Sequence, residues 1–112
     1  MSFNRDKACV SEIIKRCSCI QENRRYISSA EDFVSETMAA KAVIWDLEHI
    51  GETANHLSDD FFKNNHEIKK IPLKNMRNYL IHDYGHIEPW VVYKTVFTDI
   101  DNLKKLMEQV KI

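Results

Sequence analysis

Glycine and proline are almost absent from this chain, two of each in 112 residues. Tight turns and strand breaks rely on those residues, so their scarcity permits only a few short connections. Runs of β-branched residues are short as well. Apolar residues instead recur at three- and four-residue spacing, the period of a helix. The chain is therefore expected to be all-α.

The periodicity also marks the elements. Val10, Ile13, Ile14, Cys17 and Ile20 give one apolar face to a first helix over 4–22. The polar stretch 23–29 breaks it, and Ser28-Ser29-Ala30-Glu31 reads as a capping box that opens a second helix. That helix is expected to continue to Leu57, with Ala39, Val43, Leu47, Ile50, Ala54 and Leu57 as its main stripe. Val34, Met38 and Trp45 fall on another face, so its first half is apolar over much of its circumference. Such a helix is either central or pairs with a second subunit. Ser58-Asp59-Asp60 is an N-cap signal for a short helix carrying Phe61 and Phe62, followed by a polar loop through His66. Pro72 suits the first turn of the next helix, which should end near Gly85. Glu88 and Pro89 open the last helix, with Tyr93, Val96, Phe97, Ile100, Leu103, Met107 and Val110 buried and Trp90 also read as core. Short connections make successive helices antiparallel neighbours in a bundle of four to five helices.

Hydrophobic residues at 44% and charged residues at 29% fit one soluble globular domain over 1–112. A net charge of −1 excludes a global basic field for nucleic acid. Any polyanion site must be local, and Lys69, Lys70, Lys74 and Arg77 cluster in sequence. Cys9, Cys17 and Cys19 read as small, partly buried thiols rather than a zinc site. Their odd number, with no leader-like or membrane-length segment, makes a reduced, cytoplasmic protein the expectation.

Chemistry concentrates in Arg77-Asn78-Tyr79-Leu80-Ile81-His82-Asp83-Tyr84. His82 titrates near neutral pH and can give or take a proton. Arg77 can hold a phosphate through two parallel hydrogen bonds and stabilise its transition-state charge. Asn78 can orient the phosphate or His82. Such help suits RNA, whose 2′-hydroxyl is a nucleophile already held beside the phosphate. His82 and His86 alone make a poor metal set, and no metal or other cofactor is expected.

The helical wheel complicates a one-helix site. Leu73, Met76, Leu80, Ile81 and Tyr84 share the core-facing arc, and Arg77 falls inside it. Arg77 and His82 stand roughly 140° apart. Either the helix ends early, or Arg77 extends outward along its stem, or a second copy of the motif completes the site. An inward arginine also needs a counter-charge. Asp46 is the first candidate on the preceding long helix, with Glu48 and Glu52 as alternatives. A buried Arg77–acid pair that only fixes helix packing is the competing structural reading.

At these residues the sequence resembles the HEPN superfamily, in its HepT-like branch. Arg77, Asn78, His82 and Tyr84 match the branch's Arg-polar-spacer-His-x-Tyr signature without a gap. Leu47-Glu48-His49-Ile50-Gly51-Glu52 is similar to its Leu-Glu-x-Ile-Gly-Glu segment, and Ile71-Pro72 leads into the motif helix as in relatives. Leu73, Thr53, Asp46 and Trp45 depart from the pattern, where Trp, Ala, Asn and Arg are usual. The resemblance implies a homodimer with two motifs facing one cleft. It implies a metal-independent endoribonuclease, acting on an RNA such as tRNA or mRNA, with Arg77 and His82 catalytic; the supporting residues expected beside them, Asn78, Asp46 and Glu52, come from the residues' own chemistry and helix positions. It further implies the toxin of a type VII-like toxin–antitoxin pair, silenced when a nucleotidyltransferase antitoxin attaches AMP to Tyr84. A non-catalytic HEPN subunit, binding substrate or nucleotide for a partner nucleotidyltransferase, is the alternative.

Overall fold

The computed structural model describes residues 2–82 and 88–111, and the side chains of 4–81 and 88–111. Among them every regular element is helical. Helix α1 spans Ser2–Asn23 and leads into a 3-10 turn, Arg24–Tyr26. A short α2 (Asp32–Ser35) precedes α3 (Met38–Ala54). Two short helices follow, α4 (Asp59–Asn64) and α5 (His66–Lys69). Then come α6 (Leu73–His82), α7 (Pro89–Lys94) and α8 (Ile100–Glu108), the last two joined through a π turn, Thr95–Asp99.

Helix α3 is the centre of the assembly. It packs against α1 on one side and α6 on another, while α8 closes against α1. Ile13, Cys17 and Ile20 from α1 meet Val43, Leu47 and Ile50 from α3 and Val96, Ile100 and Leu103 from the C-terminal run. Each of these nine side chains is buried. The helical-period stripe read in the sequence is thus the core, because burying one apolar face supplies most of a helix's stability in water.

The expected second helix is two helices. Glu36 takes a left-handed backbone (φ 55°) and Thr37 an extended one. The Thr37 hydroxyl then accepts the Ala40 N–H at 3.2 Å. A threonine cap therefore starts α3, without glycine or proline to announce the break. The Ser28 hydroxyl does not cap α2; the Ser28 N–H instead donates to the Asp32 carboxylate at 2.8 Å. Residues expected as a loop around His66 form α5.

Ser58 caps α4 as expected, accepting the Phe61 N–H at 3.1 Å. Buried Asp6 accepts from both the N–H and the hydroxyl of Ser58, at 2.9 and 2.6 Å. This ties the α4 corner to the first turns of α1. In the C-terminal run, the π turn leaves the Val96 carbonyl available to Arg24, whose Nη1 donates to it at 2.9 Å. Arg24 also pairs with Asp101 at 2.9 Å and holds that carboxyl below its ordinary range, with Gln21 assisting.

Two core expectations are corrected. Trp90 is 67% exposed, because it lies two positions from buried Val92 and so roughly 200° around the helix. It stacks outside on Tyr93, ring centroids 5.5 Å apart, and Tyr93 stacks on Phe97. Ile81 is likewise exposed, although Leu80 beside it is buried. The second face of the α2–α3 region is bare: Val34 is 60% exposed, Met38 88% and Trp45 58%.

Burial pushes the Cys17 thiol up to about 12 and raises Cys9 too. All three cysteines are free. The thiolate is the reactive form. At pH 8 only partly exposed Cys19 is expected to react with a disulfide reagent in the native state. Thiol titration should give one rapid equivalent natively and three after denaturation. Two or more rapid equivalents would contradict the packing around α1.

Candidate active site on the motif helix

The position of the motif is set by one glycine. Gly51 sits in the interior of α3, where it costs roughly 1 kcal/mol relative to alanine. Its use is close approach. A Cβ at Gly51 would overlap the Cβ of Arg77 and come within 2.9 Å of the Leu73 carbonyl oxygen and 3.3 Å of the Arg77 Cα. The backbones of α3 and α6 therefore meet at Gly51, with Arg77 seated directly on it.

That seat explains how an arginine occupies the inner arc of α6. The Arg77 stem lies over the bare glycine and the guanidinium runs outward, leaving the side chain 27% exposed. Its Nε is 2.6 Å from Glu52 Oε2. The N–H is not aimed along that line, so Nε makes no hydrogen bond among the described residues. This is a charge contact with poor hydrogen-bond geometry, and the Glu52 carboxylate is itself half-exposed. Arg77 Nη1 donates to Asn78 Oδ1 at 3.2 Å. A planar fork held this way keeps donors available to an incoming oxyanion.

Asp46, the first expected partner, is elsewhere. It is buried and accepts from Arg16 Nη1 at 3.0 Å, across the α1–α3 contact. Arg16 also donates from Nε to Glu12 at 2.9 Å. Hydrogen bonding to Asp46 leads the causes that raise the Arg16 guanidinium above its ordinary value. Asp46 thus fixes α1 on α3, and Glu52, not Asp46, faces Arg77. Glu48, the other alternative, is in neither ion pair.

Helix α6 runs as far as His82 in the described residues, so it does not end before His82. Its side chain, and Asp83, Tyr84, Gly85 and His86 entirely, lie outside the described residues. The expected helix end near Gly85 and the His82–His86 pair fall there too. On the near side, the Tyr79 hydroxyl accepts the Glu88 N–H and links α6 to the start of α7. Tyr79 was not singled out by sequence reasoning. Nor was Arg16, since an i, i+4 pair such as Glu12–Arg16 is ordinary on a helix surface.

A sequence model described as "HepT-like: Ribonuclease HepT-like" matches residues 13–110. The chain belongs to the ribonuclease HepT-like family. Its match runs from the middle of α1 past the end of α8, so the Gly51 crossing and the whole of α6 lie within the HepT-like region. Relatives named as ribonucleases match over similar lengths. A Thermococcus cleftensis protein named "Probable ribonuclease HepT" is 34% identical over 105 residues, 94% of each chain. A Methanocaldococcus jannaschii protein named "Putative RNase MJ1380" is 33% identical over 111 residues, 96% of this chain and 98% of the other. One from Caldanaerobacter subterraneus named "Putative RNase TTE0752" is 27% identical over 101 residues, 90% of this chain and 89% of the other. No solved structure gives a significant match. As a HepT-like protein the chain is of the ribonuclease class, with an all-α fold consistent with the HEPN superfamily. No described helix is long and apolar enough to cross a membrane.

Proposed function

We propose that this protein is a metal-independent endoribonuclease that works as a homodimer and serves as the toxin of a toxin–antitoxin pair. The observation that carries the reading is the seat of Arg77. A packing arginine would be buried and fully hydrogen-bonded. Here the stem is fixed by Gly51 while the head reaches solvent beside Asn78, on the helix that carries His82.

The proposed reaction needs no outside nucleophile. The RNA 2′-oxygen attacks the adjacent phosphorus and forms the O2′–P bond. The P–O5′ bond breaks, leaving a 2′,3′-cyclic phosphate and a free 5′-hydroxyl. One His82 accepts the proton from the 2′-hydroxyl, and the second His82 of a dimer donates one to the departing 5′-oxygen. Arg77 holds the non-bridging oxygens as their charge grows. A dimer supplies both imidazoles and eases the roughly 140° separation of Arg77 from His82 on one helix. The bare face of Val34, Met38 and Trp45, with exposed Ile81 on α6, supports a second copy packing near the motif.

In the same reading a nucleotidyltransferase antitoxin takes AMP from ATP: the Tyr84 hydroxyl oxygen bonds to the α-phosphorus as its proton is lost, and the α–β phosphoanhydride breaks to release pyrophosphate. The added phosphate places negative charge near Arg77 and repels substrate phosphate. The test is digestion of RNA after chelator treatment, with wild type beside His82→Ala, on protein shown by intact mass to lack AMP. Cleavage by wild type and none by the variant is the expected result. A stable complex with the antitoxin and no cleavage by unmodified protein would favour the non-catalytic subunit instead.

A further inference from the structure

A cavity of about 500 Å³ opens where α4, α5 and the first turn of α6 converge. Nothing in the reaction above uses it. Its size lies within the range of small-molecule sites. Lys63, Lys69 and Lys74 line it, against one acidic lining residue, Asp59. Among the described residues none of the three lysines sits in an ion pair, whereas neighbouring Lys70 is paired with Glu67 at 3.1 Å. A protein of net charge −1 has thus gathered unneutralised cations around one concavity. The other wall is apolar, built from Phe62, Ile71 and Leu73. The Phe62 ring is set edge-on against buried Phe61, centroids 5.5 Å apart.

A cation rim over an aromatic and aliphatic wall matches one chemical unit, a phosphate joined to a flat apolar ring. We infer that the cavity is a nucleotide subsite, with the phosphate on Lys63, Lys69 and Lys74 and the base against Phe62, Ile71 and Leu73. The inference rests on the ribonuclease reading for its favoured occupant, a nucleotide of the bound RNA strand. Lys74 stands one turn before Arg77 and Asn78 on α6, about 4.5–6 Å along the axis and on the same side. A strand with its scissile phosphate on Arg77 therefore continues toward the lysines. The subsite adds strand affinity through phosphate contacts, which carry no sequence information, and through the base wall, which prefers some bases over others.

The experiment measures binding, so it does not depend on cleavage. A fluorescent 2′-O-methyl hexaribonucleotide cannot be cut by 2′-hydroxyl attack and serves as the strand probe; AMP serves as the free-nucleotide probe. Wild type, the Lys63→Glu/Lys69→Glu variant, the milder Lys63→Ala/Lys69→Ala variant and a Lys15→Glu control on α1 are compared, with melting curves to confirm folding. Both lysines are exposed, so the fold should survive. Charge reversal is expected to weaken the hexamer at least about 10-fold and to flatten its salt dependence by about 0.7 per lost phosphate contact. The alanine variant should fall between, and Lys15→Glu should bind as wild type. AMP bound with the same lysine dependence, and no hexamer effect, keeps the nucleotide subsite and makes a free nucleotide its occupant. Binding of both probes unchanged by either double variant overturns the subsite. A wild type that binds the hexamer yet leaves natural RNA uncut would instead overturn the ribonuclease reading.

Discussion

Gly51→Ala is expected to destabilise the protein and to cut its activity, although alanine is the better helix former. The propensity gain is about 1 kcal/mol in an exposed helix interior. Gly51 is buried, and its missing Cβ is where Arg77 and the Leu73 carbonyl lie. Those atoms belong to the α6 backbone and the root of its side chain, so no flexible tip can swing aside. The helices must separate, and overpacking of that kind costs roughly 1–3 kcal/mol or more. A net loss of about 1–2 kcal/mol corresponds to a melting temperature lower by roughly 5–10 °C in a domain of this size. The activity loss should exceed the loss of folded protein. Displacement of Arg77 by about 1 Å is enough to cost on the order of 10²-fold in rate. Thermal melts and RNA cleavage at a temperature where both proteins are folded separate the two effects. A Gly51→Ala protein as stable as wild type would show that α3 and α6 do not cross so closely.

The same contact shows what the sequence could and could not reveal. The stripes on α1, α3 and α8 were legible, because burial of one face follows directly from helical period. The Ser58 cap was legible for a similar reason, since serine followed by two aspartates needs no tertiary context. The α2–α3 break was not, because Glu36 enters the left-handed region without a glycine to signal it. Partner choice also escaped the wheel. Periodicity puts Asp46 on a buried face but does not say whether α1 or α6 lies opposite; Arg16 on α1 does. Gly51 was visible as part of a motif, yet its role as the seat of Arg77 appears only when two helices are brought together. Trp90 was assigned to the core by hydrophobicity, whereas its angle from Val92 places it outside.

The sharpest separation of enzyme from packing module comes from His82→Ala beside Arg77→Ala and Arg77→Lys. His82→Ala removes the proposed proton-transfer group and is expected to lower the cleavage rate about 10²–10⁴-fold with the melting temperature near that of wild type. Its residual rate should lose the near-neutral pH dependence an imidazole imposes. Arg77→Ala is expected to lower the rate about 10²–10³-fold, the usual loss for one oxyanion donor. Its effect on stability should be modest. The Arg77–Glu52 contact has a buried Nε but no aligned hydrogen bond, and its Glu52 carboxylate is half-exposed, so the pair holds α3 to α6 only weakly. What stability is lost comes from the stem over Gly51. Arg77→Lys keeps that stem and the charge but not the planar fork, so it should regain the melting temperature and only part of the rate. If the motif merely fixed helix packing, the order would invert: Arg77→Ala would unfold the chain, Arg77→Lys would restore it fully, and His82→Ala would cleave RNA at the wild-type rate. Rates from chelator-treated protein and melting curves on the same preparations decide between these outcomes, because the two readings assign opposite variants to the two losses.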